Sequence, residues 1–190
     1  MQVFTPSIDD SLVTKWIERL NSLKMKCEIH PDFSFITHSG FLPFKIKLLK
    51  TDNQLLIVKE YLTGFELFIN EFDLNKEIEI SNPRHSFIDR LMGKKSSQTY
   101  FASPAIDARL KTCNKLLHCE WSTNDSFELR MATLSAAVLA EITDGICFYP
   151  AQNFWYLEEN EVEKALIEVE AYEASIKPNQ FKLHKFEKWF

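Results

Sequence analysis

The chain has 190 residues, 45% of them hydrophobic and 13% aromatic, with 16 Phe and only 4 Gly. That composition excludes a disordered or fibrous chain and leaves little glycine for phosphate-cradling loops, while the length suits one domain with a buried core. A formal charge of −5, from 27 acidic and 22 basic residues, argues against a nucleic-acid binder with its basic face and suits a basic protein partner.

Near the start, Ser7 or Asp9 can accept hydrogen bonds from free helix amides, and Leu12, Trp16, Leu20 and Leu23 then recur at helical spacing. Val13 and Ile17 widen that stripe, and the pattern predicts a helix over 9–25. From Cys27 the period changes to two. "CEIHPDFSFITHSG" puts Phe33 and Phe35 on one side and Ser34 and Ile36 on the other. Phe44, Ile46 and Leu48 alternate with Lys45 and Lys47, as in a strand with one wet face, after a turn at Ser39-Gly40. "LLIVKEYL" fits a strand or a short helix equally. "TGFELFINEF" predicts a strand with Phe65, Leu67 and Ile69 on one face, and "EIEI" at 77–80 alternates in the same strand-like way.

Residues 75–100 form an irregular insertion with a short helix from Ser86 to Met92, stopped by Gly93 and a basic Lys94-Lys95-Ser96-Ser97 loop. Ser103-Pro104 opens a helix running to about Asn114. "KLLHCEW" and "SFELRMA" read as two strands of a hairpin joined by "STNDS". Leu134, Val138 and Ile142 then make one face of an alanine-rich helix, ended at Asp144-Gly145 with Gly145 as the left-handed cap residue. "ICFYP" is a strand, Pro150 to Asn153 a turn, and "FWYL" a short or edge strand. Asn160 can cap a last helix whose stripe is Val162, Leu166 and Val169 with Ala165 or Tyr172. The aromatic, basic tail after Lys177 packs back or extends as an arm. The sum is an α+β chain over 1–190, a single domain with about four helices around a mostly antiparallel sheet.

The residues offer little catalytic chemistry. His30, His38, His85, His118 and His184 make no H-E-x-x-H or H-x-H pattern, and Cys27, Cys113, Cys119 and Cys147 make no C-x-x-C, so neither metal nor cofactor is expected. There is no G-x-S-x-G elbow and no complete phosphate loop; "MGKKSS" carries only the tail of one. His38 with Cys27 or Cys147 could imitate a thiol–imidazole pair, provided an acid meets them in one cleft. No catalytic residue is nominated. The thiols read as reduced, no Sec leader is visible, and no apolar run nears the roughly 20 residues of a membrane span, so a cytoplasmic protein is expected.

Acidic and aromatic residues gather after the alanine-rich helix. Phe148, Tyr149, Phe154, Trp155 and Tyr156 lack interleaved Arg or Lys, which speaks against base stacking. Glu163, Glu170 and Glu173 lie off the apolar stripe and make a negative surface. Trp155, Tyr156, Glu158, Glu159, Glu161 and Glu163 are therefore the candidate surface for docking a basic protein. The passage "AAVLAEITDGICFYP" followed by "FWY" resembles the C-terminal core of small bacterial immunity proteins, and "SGFLPFKIKL" and "SFELRMA" look like the antiparallel strands of such α+β domains. The resemblance covers about a third of the chain. It implies a non-enzymatic protein that binds a cognate toxin in the cytoplasm, a basic nuclease domain suiting the acidic composition. It carries over no catalytic residue. The alternatives are a scaffold or secretion-system accessory domain, and an enzyme whose site the sequence does not display.

Overall fold

The computed structural model describes residues 1–51, 53, 56, 60–81, 100–122, 125–156 and 160–183. Its strands are β1 (Gln2–Thr5), β2 (Met25–Ile29), β3 (Gly40–Leu48), β4 (Tyr61–Glu71), β5 (Lys115–Glu120), β6 (Ile146–Tyr149) and β7 (Phe154–Tyr156). Its helices, among the described residues, are α1 (Leu12–Asn21), α2 (Leu74–Ser81), α3 (Pro104–Leu110), α4 (Glu128–Thr143) and α5 (Glu161–Ser175). The strands form one sheet in the order β2-β3-β4-β5-β1-β6-β7, and each neighbouring pair is antiparallel. The expected α+β architecture is present.

Alternation along the strands assigns two apolar layers. Val3, Phe44, Phe65, Leu117 and Cys147 point to the face covered by α4, with α1 and α5 packed alongside that helix. Phe4, Leu116 and Ile146 point the other way and meet Phe72, Ile106 and Leu110 in a smaller core. The aromatic ring of Phe4 lies edge-on to Phe72 at 4.8 Å. α3 begins as the sequence predicts: Ser103 Oγ accepts from Ile106 N, with Pro104 in the first turn.

Three predicted elements differ. "SFELRMA" is not a strand: it opens α4, one helix of 16 residues, so there is no hairpin after β5. α4 is wedged between the sheet, α1 and α5, with Met131, Leu134, Val138 and Leu139 all buried. The stripe of Leu134, Val138 and Ile142 marks its second half as the sequence predicts, but its buried first turns have no polar face to set a helical period. "EIEI" is not strand-like either; it belongs to α2, and Asp73 caps that helix by accepting from Asn75 N at 2.9 Å. Phe33 to Ile36 do not extend β2, which ends at Ile29. They form turns pinned by Asp10, whose carboxylate accepts from Phe35 N at 2.7 Å and from Ser34 Oγ at 2.8 Å. Phe33 and Phe35 then bury against Trp16, with ring centres 5.9 and 5.3 Å away. Their alternation is that of an aromatic plug, not of a strand. The predicted helix Ser86–Met92 and the basic loop after it lie outside the described residues, as does half of "LLIVKEYL", whose last two residues, Tyr61 and Leu62, open β4.

The helical layer has an ionic centre. Arg130 on α4 meets Glu173 on α5 through two parallel bonds, Nε to Oε1 at 2.7 Å and Nη2 to Oε2 at 2.8 Å. The two side chains are 0% and 1% exposed. Glu173 therefore faces inward, not onto the negative surface expected of it. Glu173 stands four positions after Val169 and eight after Ala165, so it lies on the same side of the helix as Val162, Ala165 and Val169, and the guanidinium satisfies it there.

Candidate functional site

The pattern of β7 decides where the aromatic exit of the chain points. Consecutive strand residues face opposite sides of a sheet. Trp155 turns into the smaller core, stacking on Phe148 at 4.4 Å and lying 5.5 Å from Phe4. Tyr156 turns the other way, into the layer of α4 and α5, and is only 4% exposed. The two residues expected to share a docking surface are thus divided between two cores. Phe154, on the same side as Tyr156, remains 47% exposed and packs edge-on to the Tyr156 ring at 5.0 Å.

On the Tyr156 side a cleft of about 420 Å³ opens between α4, α5 and the β6–β7 turn, a volume in the range of ligand pockets. Its lining includes Leu129 and Thr133 from α4, Tyr149 and Gln152 from the turn, and Tyr156 and Glu168. The Tyr156 hydroxyl donates to Glu168 Oε2 at 3.1 Å. Burial and the Glu168 charge both push the Tyr156 hydroxyl pKa well above its ordinary value, so it stays a donor. Glu168, Thr133 and Gln152 are the members that sequence reasoning missed. Glu168 sits among seven acids with nothing local to single it out, and Thr133 lay hidden in a helix read partly as a strand.

The acids of α5 are mostly held by cations of other elements. Glu163 is exposed but accepts from Arg19 Nη2 at 3.0 Å; that bond lowers its pKa. The same guanidinium makes a double contact with Glu141, at 2.8 and 2.9 Å. Lys24 holds Glu170 at 2.8 Å. The negative surface predicted from Glu163, Glu170 and Glu173 is largely compensated within the fold. Glu158 and Glu159 lie outside the described residues.

Glu161, at the first turn of α5, differs from these. Burial raises its pKa from 4.5 to about 7, against the pull of Arg109; Glu141 adds to the rise. The folded state therefore keeps a proton that the unfolded chain gives up as pH passes 4.5. Stability should fall as pH rises from about 4.5 to about 7 and level off above that. Glu161→Gln is expected to flatten this slope and to raise stability at pH 8 by on the order of 1 kcal/mol, after allowance for solvent screening of a partly exposed group. Urea denaturation of both proteins across pH 4–9 checks it, and parallel curves would disprove it.

The thiol–imidazole reading does not assemble. His38 Nε2 lies 3.1 Å from the Gly40 carbonyl beside β3, and its ring rests on Phe33. Cys147 lies in β6, four strand spacings or about 19 Å across the sheet. Burial raises the pKa of Cys27 and Cys119 to about 12, and that of Cys147 well above the ordinary range. Cys113 is raised for the same reason. All four are free and buried. An Ellman titration should therefore find at least a hundredfold slower reaction in the folded protein than in urea. Fast labelling of any one cysteine under native conditions would contradict this placement.

Among the described residues, no group of three or more His, Cys, Asp or Glu side chains is placed to hold a metal ion, and no helix is long and apolar enough to cross a membrane. No protein-family model, no curated protein and no solved structure matches the chain.

Proposed function

We propose that this protein is a non-enzymatic binding module that docks another protein across the mouth of the Tyr156 cleft, and that it acts as an immunity protein against a bacterial toxin. The carrying observation is the rim of the cleft. Phe154 is 47% exposed beside Tyr156, and α5 leaves Ile167 66% and Tyr172 43% exposed next to Ala171 and Glu168 of the lining. Large apolar side chains gathered at the edge of a concavity are the composition of an interface centre. The resemblance of the α4–β6 passage to immunity proteins supplies the kind of partner. The docking surface moves from the acids Glu161 and Glu163 toward the aromatic rim, because Glu163 already serves Arg19.

The test is co-expression with the products of genes adjacent to its own, reading growth and recovery of a stoichiometric complex. The double variant Phe154→Ala/Tyr172→Ala should weaken that complex at least tenfold and leave the thermal midpoint within about 2 °C of wild type. A toxic neighbour that is neutralised and bound equally by wild type and variant would remove the rim from the interface. A set of neighbours none of which binds or harms would overturn the immunity reading.

A further inference from the structure

We infer that the Tyr156 cleft is a receptor for an arginine side chain of the docked partner. The inference rests on the docking reading above and adds the chemistry of what enters. Among the described residues lining the cleft Glu168 is the one charged side chain; Met1 also lines it, with its α-ammonium donating to the Cys119 carbonyl at 2.8 Å. Its Oε2 is held by the Tyr156 hydroxyl at 3.1 Å, which fixes the carboxylate, and Oε1 has no hydrogen bond to the described residues. Glu168 is exposed at the mouth, so Oε1 faces solvent and can accept from a cation that enters.

The walls favour arginine over a compact ammonium. Tyr149 and Tyr156 bring aromatic rings to the lining, and a planar guanidinium can lie on a ring face while its edge pairs with a carboxylate. Leu129, half-buried in the lining, offers apolar surface for the methylenes of the stem. Thr133 and Gln152 supply oxygens that can accept the remaining N–H groups. Three of the other acids of α5 are already engaged, Glu163 with Arg19, Glu170 with Lys24 and Glu173 with Arg130. In this scheme Glu168 binds and Tyr156 positions it.

The probe is N-acetyl-arginine methylamide, titrated into the full-length protein and followed by amide chemical shifts. Its uncharged isostere, N-acetyl-citrulline methylamide, and the lysine analogue serve as comparators. Saturable shifts centred on Thr133, Tyr149, Gln152, Tyr156 and Glu168 are expected, with a Kd of about 10 mM or tighter. The citrulline compound should bind at least tenfold more weakly, and so should the arginine probe to Glu168→Gln. Tyr156→Phe should weaken arginine by a smaller factor, since it loosens the carboxylate without removing it. Unperturbed shifts elsewhere in the variants show that the fold persists.

Equal binding of arginine and citrulline, unchanged binding to Glu168→Gln, or no saturable shift would each overturn the inference. So would lysine binding more tightly than arginine. The outcome separates from that of the docking reading. A complex lost on Phe154→Ala/Tyr172→Ala, in a protein whose cleft ignores arginine, leaves the docking reading standing and ends this one. Arginine recognition with no protein partner does the reverse.

Discussion

Replacing Glu173 by alanine is expected to lower the unfolding free energy by about 3–5 kcal/mol, enough to unfold a marginal domain. The reason is the partner left behind. Arg130 is fully buried on α4, and its guanidinium contacts Glu173 through two short bonds, with Met25 Sδ at 3.9 Å from Nη1. Without Glu173 an unpaired charge stays in the middle of the helical layer, where water cannot reach it. Arg130→Met should cost a similar amount, since it strands the carboxylate instead. The double variant Arg130→Met/Glu173→Leu should recover most of the loss, because a buried ion pair contributes little net stability over an apolar pair of similar volume. Urea denaturation of the four proteins closes the double-mutant cycle. A double variant as unstable as either single one would mean that packing, not charge, sets the cost. The exposed bridges of Glu163 to Arg19 and Glu170 to Lys24 should each contribute no more than about 1 kcal/mol and weaken with salt.

What could be read from the sequence follows where each element's evidence is local. α1, β3, β4, α3 and α5 carry their own periodicity or caps, and all five stand close to their predicted places. α4 was legible only in its second half, through the Leu134, Val138 and Ile142 stripe and the Asp144-Gly145 stop; its first turns are buried and lack the polar face that would mark them as helical. Its first turn, containing Glu128, Arg130 and Met131, alternates charged and apolar residues and so imitates a strand. Arg130 and Glu128 are charged yet 1% and 3% exposed. Only the fold reveals that Glu173 waits for the first and that Ser122 donates two hydrogen bonds to the second. The same limit applies to the site. Tyr156 was legible as an aromatic exit, but whether it shares a face with Trp155 depends on strand pairing, and the pairing puts them on opposite faces. Glu161 and Glu163 were legible as acids near a helix start. That one is buried near Arg109 and the other tied to Arg19 is a consequence of tertiary contacts. Glu168 differs from its neighbours only by facing Tyr156 across 12 residues of chain.

The junction between α4 and β6 yields the second large effect. In "TDGI" the sequence suggests that Gly145 provides the left-handed residue that ends the helix. The backbone gives that role to Asp144, with φ +52°, while Gly145 has ordinary φ. Gly145 is required for another reason. A Cβ added there would lie 2.5 Å from the Phe4 carbonyl oxygen and 3.0 Å from Thr143 Oγ1. The amide of Gly145 donates to Ala140 O at 2.8 Å, and its carbonyl accepts from Arg109 Nη2 at 2.8 Å. Those bonds tie the end of α4 and α3 to one point, and the point is pressed onto β1, so the backbone cannot step back without breaking them. Gly145→Ala is therefore expected to destabilise by about 1–3 kcal/mol, as other overpacked sites do. Asp144→Gly should be close to neutral: the left-handed conformation becomes unstrained, and the added freedom of the unfolded chain offsets part of that gain. Thermal unfolding of the double variant Asp144→Gly/Gly145→Ala separates the two explanations. If glycine were needed for its φ, Asp144→Gly would do little and Gly145→Ala would be rescued by it in the double variant. If close approach to Phe4 is the cause, the double variant should remain as unstable as Gly145→Ala alone.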